Sequence, residues 1–97
     1  MRIGKDAAEN WKIFDEADEE DVWVHLKSFP SPHVILKEEN LSEKNILEAS
    51  NLCKDSSKFK NLKNIKIVNC KVKYLQKGDV VGTIIMLRPR KCNYVKI

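Results

Sequence analysis

A chain of 97 residues with 33% charged side chains and a formal net charge of +4 is expected to form one domain over residues 1–97, long enough to bury roughly two thirds of its unfolded surface without staples. Three widely separated cysteines with no Cys-x-x-Cys pair speak against a disulfide framework or a zinc knuckle, and reduced cytoplasmic thiols are the default. The first ten residues are polar, unlike a signal peptide, and the longest largely apolar run, residues 80–87, is far shorter than the ~20 residues of a spanning helix, so no membrane association is expected.

The charge is divided unevenly. Residues 1–52 carry 6 Lys/Arg against 12 Asp/Glu, whereas residues 53–97 carry 12 against 2. Such asymmetry has two physical meanings, a nucleic-acid surface or pairing of the acidic half with the basic half, and both can hold together.

Residues 2–6 suggest a short strand, with a further strand expected beside it. Trp11, Ile13, Phe14 and Ala17 then fall near helical spacing, with Glu9 or Asn10 at the start. The acidic run of residues 15–21 should end this helix near Ala17, because negative charge is unfavourable at a helix C-terminus; without calcium-loop spacing the run is read as solvated.

Residues 21–36 form the organising stretch, a β-hairpin of residues 22–27 and 33–37. Side-chain alternation puts Val22, Val24, Leu26, Val34 and Leu36 on one face, fit for burial against a helix. Trp23, His25, Lys27, His33, Ile35 and Lys37 share the other. A second helix is predicted from Glu43 to residues 54–57, with Ser42 as N-cap, Leu41 and Ile46 as a hydrophobic staple, and Ile46, Ala49 and Cys53 as the apolar stripe.

Strand character returns over residues 64–77, but Ile65 and Ile67 are odd-numbered while Cys70, Val72 and Tyr74 are even. That change of phase predicts a bulge near Val68 and Asn69, with Lys71 and Lys73 projecting together. After a turn at residues 77–79, residues 80–87 resemble a strand buried on both faces, followed by a basic turn at residues 88–91 and a last strand at 92–97. The fold class is α+β: a mixed or antiparallel sheet of about five strands, with the main helix and the shorter N-terminal helix packed on one side.

Neither a nucleophile elbow nor a P-loop is present, and no third ligand accompanies the two histidines at metal-binding spacing. No catalytic residue, metal or cofactor is therefore assigned. His25 and His33 retain two readings, half-buried polar residues satisfied by the backbone or members of a binding surface. For RNA, cations neutralise phosphates and planar side chains stack on unpaired bases. The cations are Lys66, Lys71, Lys73, Lys77, Arg88, Arg90 and Lys91; the planar groups are Trp23, His25 and His33, with Phe29 at the hairpin tip.

Asp21-Val-Trp-Val-His25, followed after Lys-Ser-Phe-Pro-Ser-Pro by His33-Val-Ile-Leu36, resembles the signature of the NFACT-R domain. Residues 3–10, Ile-Gly-Lys-Asp-Ala-Ala-Glu-Asn, are similar to the strand end and helix start of that family. Val24 stands where the family usually has Phe, and Ser31-Pro32 where a Gly or Ser commonly precedes the second His. The resemblance implies an RNA-binding module rather than a catalytic unit, with Gly4, Asp21, Trp23, His25 and His33 at signature positions. It also implies tRNA or ribosomal RNA as partner, with the large ribosomal subunit as a wider one, in translation or ribosome-associated quality control. Peptide tailing, which belongs to whole NFACT proteins, is not implied. The alternative is a protein-interaction module docking through its acidic segment or a sheet edge.

Overall fold

The computed structural model describes all 97 residues, Met1 to Ile97. In chain order the elements are β1 (Arg2–Ile3), α1 (Ala7–Asp15), β2 (Val22–Leu26), β3 (Val34–Leu36), α2 (Glu43–Asp55), β4 (Lys66–Lys71), β5 (Leu75–Lys77), β6 (Ile84–Met86) and β7 (Asn93–Lys96). Five strands form a wholly antiparallel sheet in the order β1-β3-β2-β4-β7, and β5 and β6 make a separate two-stranded ribbon. The α+β class and the strand number agree with the sequence reading.

Both helices start where side chains satisfy their first free N–H groups. Ser42 accepts from the Asn45 N–H and caps α2 as predicted, and Leu41 and Ile46 both pack against the core. The first helix starts three residues before Asn10, because Asp6 accepts from the Glu9 N–H while the Glu9 carboxylate accepts from the Lys5 N–H. The Asp-x-x-Glu spacing is that of a capping box, with the Glu9 carboxylate bonded to the residue before the cap rather than to the cap itself.

The hairpin register is regular, with Val22 opposite Leu36, Trp23 opposite Ile35 and Val24 opposite Val34. Val22, Val24, Leu26, Val34 and Leu36 meet Ala49 and Cys53 of α2, together with Ile65 and Ile67, in one aliphatic core. On the opposite face Trp23, Ile35, Val68 and Cys70 form a second core with Ile13 and Phe14 of α1 and Leu75 of β5. The expectation that both helices lie on one side is therefore corrected. Trp23 and Ile35 expose a second apolar surface, and α1 with the ribbon closes it.

That two-sided cover also removes the predicted bulge. Ile67, Val68, Asn69 and Cys70 are all buried, and the β2–β4 register runs unbroken from Leu26–Ile67 to Val22–Lys71. Even and odd positions are apolar because each faces a different core, not because the strand slips. The break comes later, at a 3-10 turn over Val72–Tyr74.

Residues 80–87 are likewise not a doubly buried strand. Only Ile84–Met86 is strand, paired with β5 alone, while Val80, Val81, Ile85 and Leu87 are exposed. The ribbon tip is fastened to α1 instead: the Trp11 indole N–H donates to the Thr83 carbonyl at 2.9 Å. At Gly82, φ is +90°, and a Cβ would stand 2.9 Å from the Ala7 Cα, so a side chain there meets both strain and backbone.

Distant in sequence, Cys70 and Cys92 bring their thiols into contact within the second core. Burial, then the neighbouring thiol, pushes the Cys70 thiol up to about 12. No helix is long and apolar enough to cross a membrane.

Candidate nucleic-acid interface

The signature side chains form one connected cluster on the α1 face. Trp23 and His25 are two residues apart on β2, and their rings stack with centroids 5.3 Å apart and planes within 6°. His33, just before β3, meets both edge-on and accepts the Trp23 indole N–H at Nδ1, 3.0 Å away. Its backbone is held as well, since the Asn10 side-chain oxygen accepts the His33 N–H and the His33 carbonyl accepts the Gly4 N–H at 2.9 Å. A Cβ at Gly4 would lie 2.9 Å from the Asn10 Cα, which explains a glycine at this seam.

Burial decides what these rings offer. Trp23 and His33 are each 4% exposed, whereas His25 is half-buried and lines an open cleft. Solvent therefore reaches this planar group chiefly through His25 and not through a broad Trp23 face. Burial, with His25 nearby, lowers the His33 imidazole to about 3, and burial lowers His25 too, opposed by its contact with the Leu26 backbone. Both rings are neutral at pH 7.

The acidic run is not simply solvated. Glu20 pairs with both Lys71 and Lys73, Asp15 with Lys77, and Glu16 with Arg2. Hydrogen bonds from Lys71 and Lys73 hold the Glu20 carboxyl below its ordinary range. Asp21 is 1% exposed; burial pushes its carboxyl up, but donors from Lys37, Asp18 N–H and Glu38 N–H outweigh this and hold it below the ordinary value. The signature aspartate thus ties the start of β2 to the segment after β3.

Lys71, Lys73 and Lys77 are consequently engaged by carboxylates, while Arg88, Arg90 and Lys91 are exposed and enter no ion pair. The last three lie at the 3-10 turn Pro89–Lys91 preceding β7, toward the Asn69–Asn93 end of the β4–β7 pair.

The opposite end of the sheet holds a set that the sequence reading did not assemble. Lys66 faces Lys96 directly, and Lys27 continues β2 beside Lys66, its N–H donating to the Lys66 carbonyl. Because alternate residues share a face, Lys27, Lys66 and Lys96 form a row across three strands on the His25 face. The next row inward is His25–Val68–Tyr94. Tyr94 is 42% exposed, with the Lys27 ammonium 4.9 Å from its ring centroid. None of the three lysines has an acidic partner. Like charges directly opposite each other oppose folding, so this row favours an anionic ligand.

The sequence contained part of this signal: alternation in the last strand puts Tyr94 and Lys96 on one face. What was missing was the register of β4 against β2 and β7, which joins positions 27, 66 and 96.

The family described as the NFACT protein RNA binding domain matches residues 1–86. The Rqc2 homolog RqcH of Bacillus subtilis (strain 168) is 26% identical over 78 residues, which are 79% of this chain and 14% of that protein. The chain thus spans a small part of that relative's length. Among solved structures, the C-terminal part of the fibronectin/fibrinogen-binding protein from Streptococcus suis aligns with a TM-score of 0.85 at 22% identity, over 98% of this chain and 39% of that one. This likeness shows a shared fold.

Proposed function

The chain belongs to the NFACT protein RNA binding domain family, and we propose on that premise that it binds tRNA or ribosomal RNA, acting in translation or ribosome-associated quality control. The family match over residues 1–86, which contain the whole Trp23–His25–His33 cluster, carries this reading. The unpaired row Lys27–Lys66–Lys96 supports it physically. Three ammoniums on adjacent strands follow a polyanion backbone, and exposed Tyr94 beside them offers a ring for an unpaired base. Arg88, Arg90 and Lys91 are available to a second stretch of phosphates, whereas Lys71, Lys73 and Lys77 must first part from Glu20 and Asp15. The role is binding, with catalysis left to other parts of any complex.

The test is the salt dependence of affinity for total tRNA, in the native protein and in a combined Lys27→Gln, Lys66→Gln, Lys96→Gln variant. Three phosphate contacts steepen the dependence by about 2 to 3 in the log–log slope, a loss of roughly 20- to 40-fold between ~50 and ~200 mM salt. The variant is expected to lose that part of the slope. Salt-independent binding, or a variant that matches the native protein, overturns the proposal.

A further inference from the structure

Beside the lysine row opens a cleft of about 980 Å³, bounded by the β2–β3 loop, the residues before α1, residues 56–59 after α2 and the tip of the β5–β6 ribbon. Small-molecule sites commonly occupy ~300–1,000 Å³, so the cleft has room for a nucleotide. Its chemistry narrows the ligand further. A neutral imidazole that accepts a hydrogen bond at Nδ1 carries its proton on Nε2, and His33 accepts the Trp23 indole N–H at Nδ1. No protein group receives the remaining His33 proton, yet every side-chain nitrogen or oxygen sealed from solvent in this protein has a partner. His33 Nε2 is therefore open to the cleft, although the residue as a whole is 4% exposed.

Around this fixed donor stand a ring and three cations. His25, stacked on Trp23, is the most exposed member of the aromatic cluster. Lys5, Lys27 and Lys58 line the cleft, exposed and without ion pairs, and Lys5 and Lys27 flank the histidine side of it, before α1 and after β2. Asp6 is its one carboxylate, and that side chain already caps α1. The complement is a planar heterocycle with an acceptor edge, joined to an anion.

We infer that this cleft receives one unpaired nucleotide of a bound RNA, its base against His25 with a ring nitrogen or carbonyl accepting from His33 Nε2–H, and its phosphate at Lys5 and Lys27. The inference rests on the RNA-binding reading and adds a preference within it. Lys27 belongs to both the row and the cleft, so a strand held by Lys66 and Lys96 is delivered to the opening. Recognition through base faces and edges is how proteins select loops and bulges over continuous duplex.

The experiment compares two hairpin RNAs of identical stem, one carrying a single-nucleotide bulge. The native protein is expected to bind the bulged RNA at least ~5-fold more tightly, the low end of what stacking one base contributes. His25→Ala should lower affinity for the bulged RNA to that for the duplex. In the native protein the His25 and His33 imidazole nitrogen resonances should move with the bulged RNA and stay in place with the duplex, a readout independent of how any variant folds. Equal affinity for both RNAs, or imidazole signals that ignore the bulge, overturns the inference while duplex binding keeps the RNA-binding reading standing. No binding to either RNA removes both.

Discussion

The two faces of the five-stranded sheet are covered in opposite ways. Under α2 the cover is aliphatic and closed, with Val24, Leu26, Leu36, Ala49, Cys53 and Ile67 at 1% exposure or less. Under α1 and the β5–β6 ribbon the cover stops short of the hairpin loop, and what lies there is hydrogen-bonded imidazole, an indole and an opening. One face holds the sheet together, and the other is shaped by it. Hydrophobic burial is non-directional and tolerates no gap, whereas a polar cluster requires particular partners and leaves particular atoms over.

The largest effect separating the faces is expected from Leu36→Ala, a residue of the α2 core that does not line the cleft. Truncating this fully buried side chain costs about 2 to 5 kcal/mol through lost transfer energy and a cavity. Denaturant unfolding measures that loss, and RNA affinity at a temperature where the variant is folded should match the native value; a changed affinity would show that the two faces are coupled.

A smaller and pH-dependent effect belongs to the other face. The His33 imidazole is about 3 in the folded state against 6.5 ordinarily, so between these values the unfolded chain binds a proton that the folded protein refuses. Its contribution to stability is complete above pH 6.5 and is lost as pH falls toward 3, at up to about 1.4 kcal/mol per pH unit. From pH 7.5 to pH 5.5 this amounts to about 1.4 kcal/mol, and lowered His25 acts in the same direction. Unfolding curves at the two pH values are expected to differ by at least this much. Stability indifferent to pH across the window would mean that the His33 ring is not buried as described.

The smallest effect concerns the acid-held lysines. Glu20→Gln is expected to leave the unfolding midpoint nearly unchanged, because exposed ion pairs contribute little, while adding no more than ~0.9 to the salt slope of tRNA binding for each freed lysine. A slope that stays constant would place Lys71 and Lys73 off the RNA path and leave the interface to the opposite end of the sheet.

How much was legible in the sequence follows the same division. The α2 face was open to reading because each of its devices is local: Ser42 as cap, Leu41 and Ile46 as staple, and the even-numbered hairpin residues turned toward Ala49 and Cys53. Periodicity misled where both sides of a strand are covered. Apolar residues at successive positions of β4 imitate a slip in phase, and the apolar run of residues 80–87 imitates a central strand although it has one ladder partner. In the site, the Trp–His signature was visible, but its burial was not, since it depends on α1 and the ribbon arriving from distant parts of the chain. The engagement of Lys71, Lys73 and Lys77 by the acidic run is equally a matter of tertiary placement, as is the row that joins Lys27, Lys66 and Lys96.

That row also bears on how the domain holds its own edge. β7 hydrogen-bonds to β4 alone in the sheet, with the reciprocal Ile65–Ile97 backbone pair extending the seam. A polyanion spanning the three ammoniums adds a bridge from this outer strand to β2, two strands inward, and does so only when all three strands are in register. By linkage, anything that binds the folded form and not the unfolded chain raises the stability of the fold. If RNA binds along this row as proposed, it would serve as a strap across the sheet, drawing an outer strand and the central hairpin into a single cooperative unit.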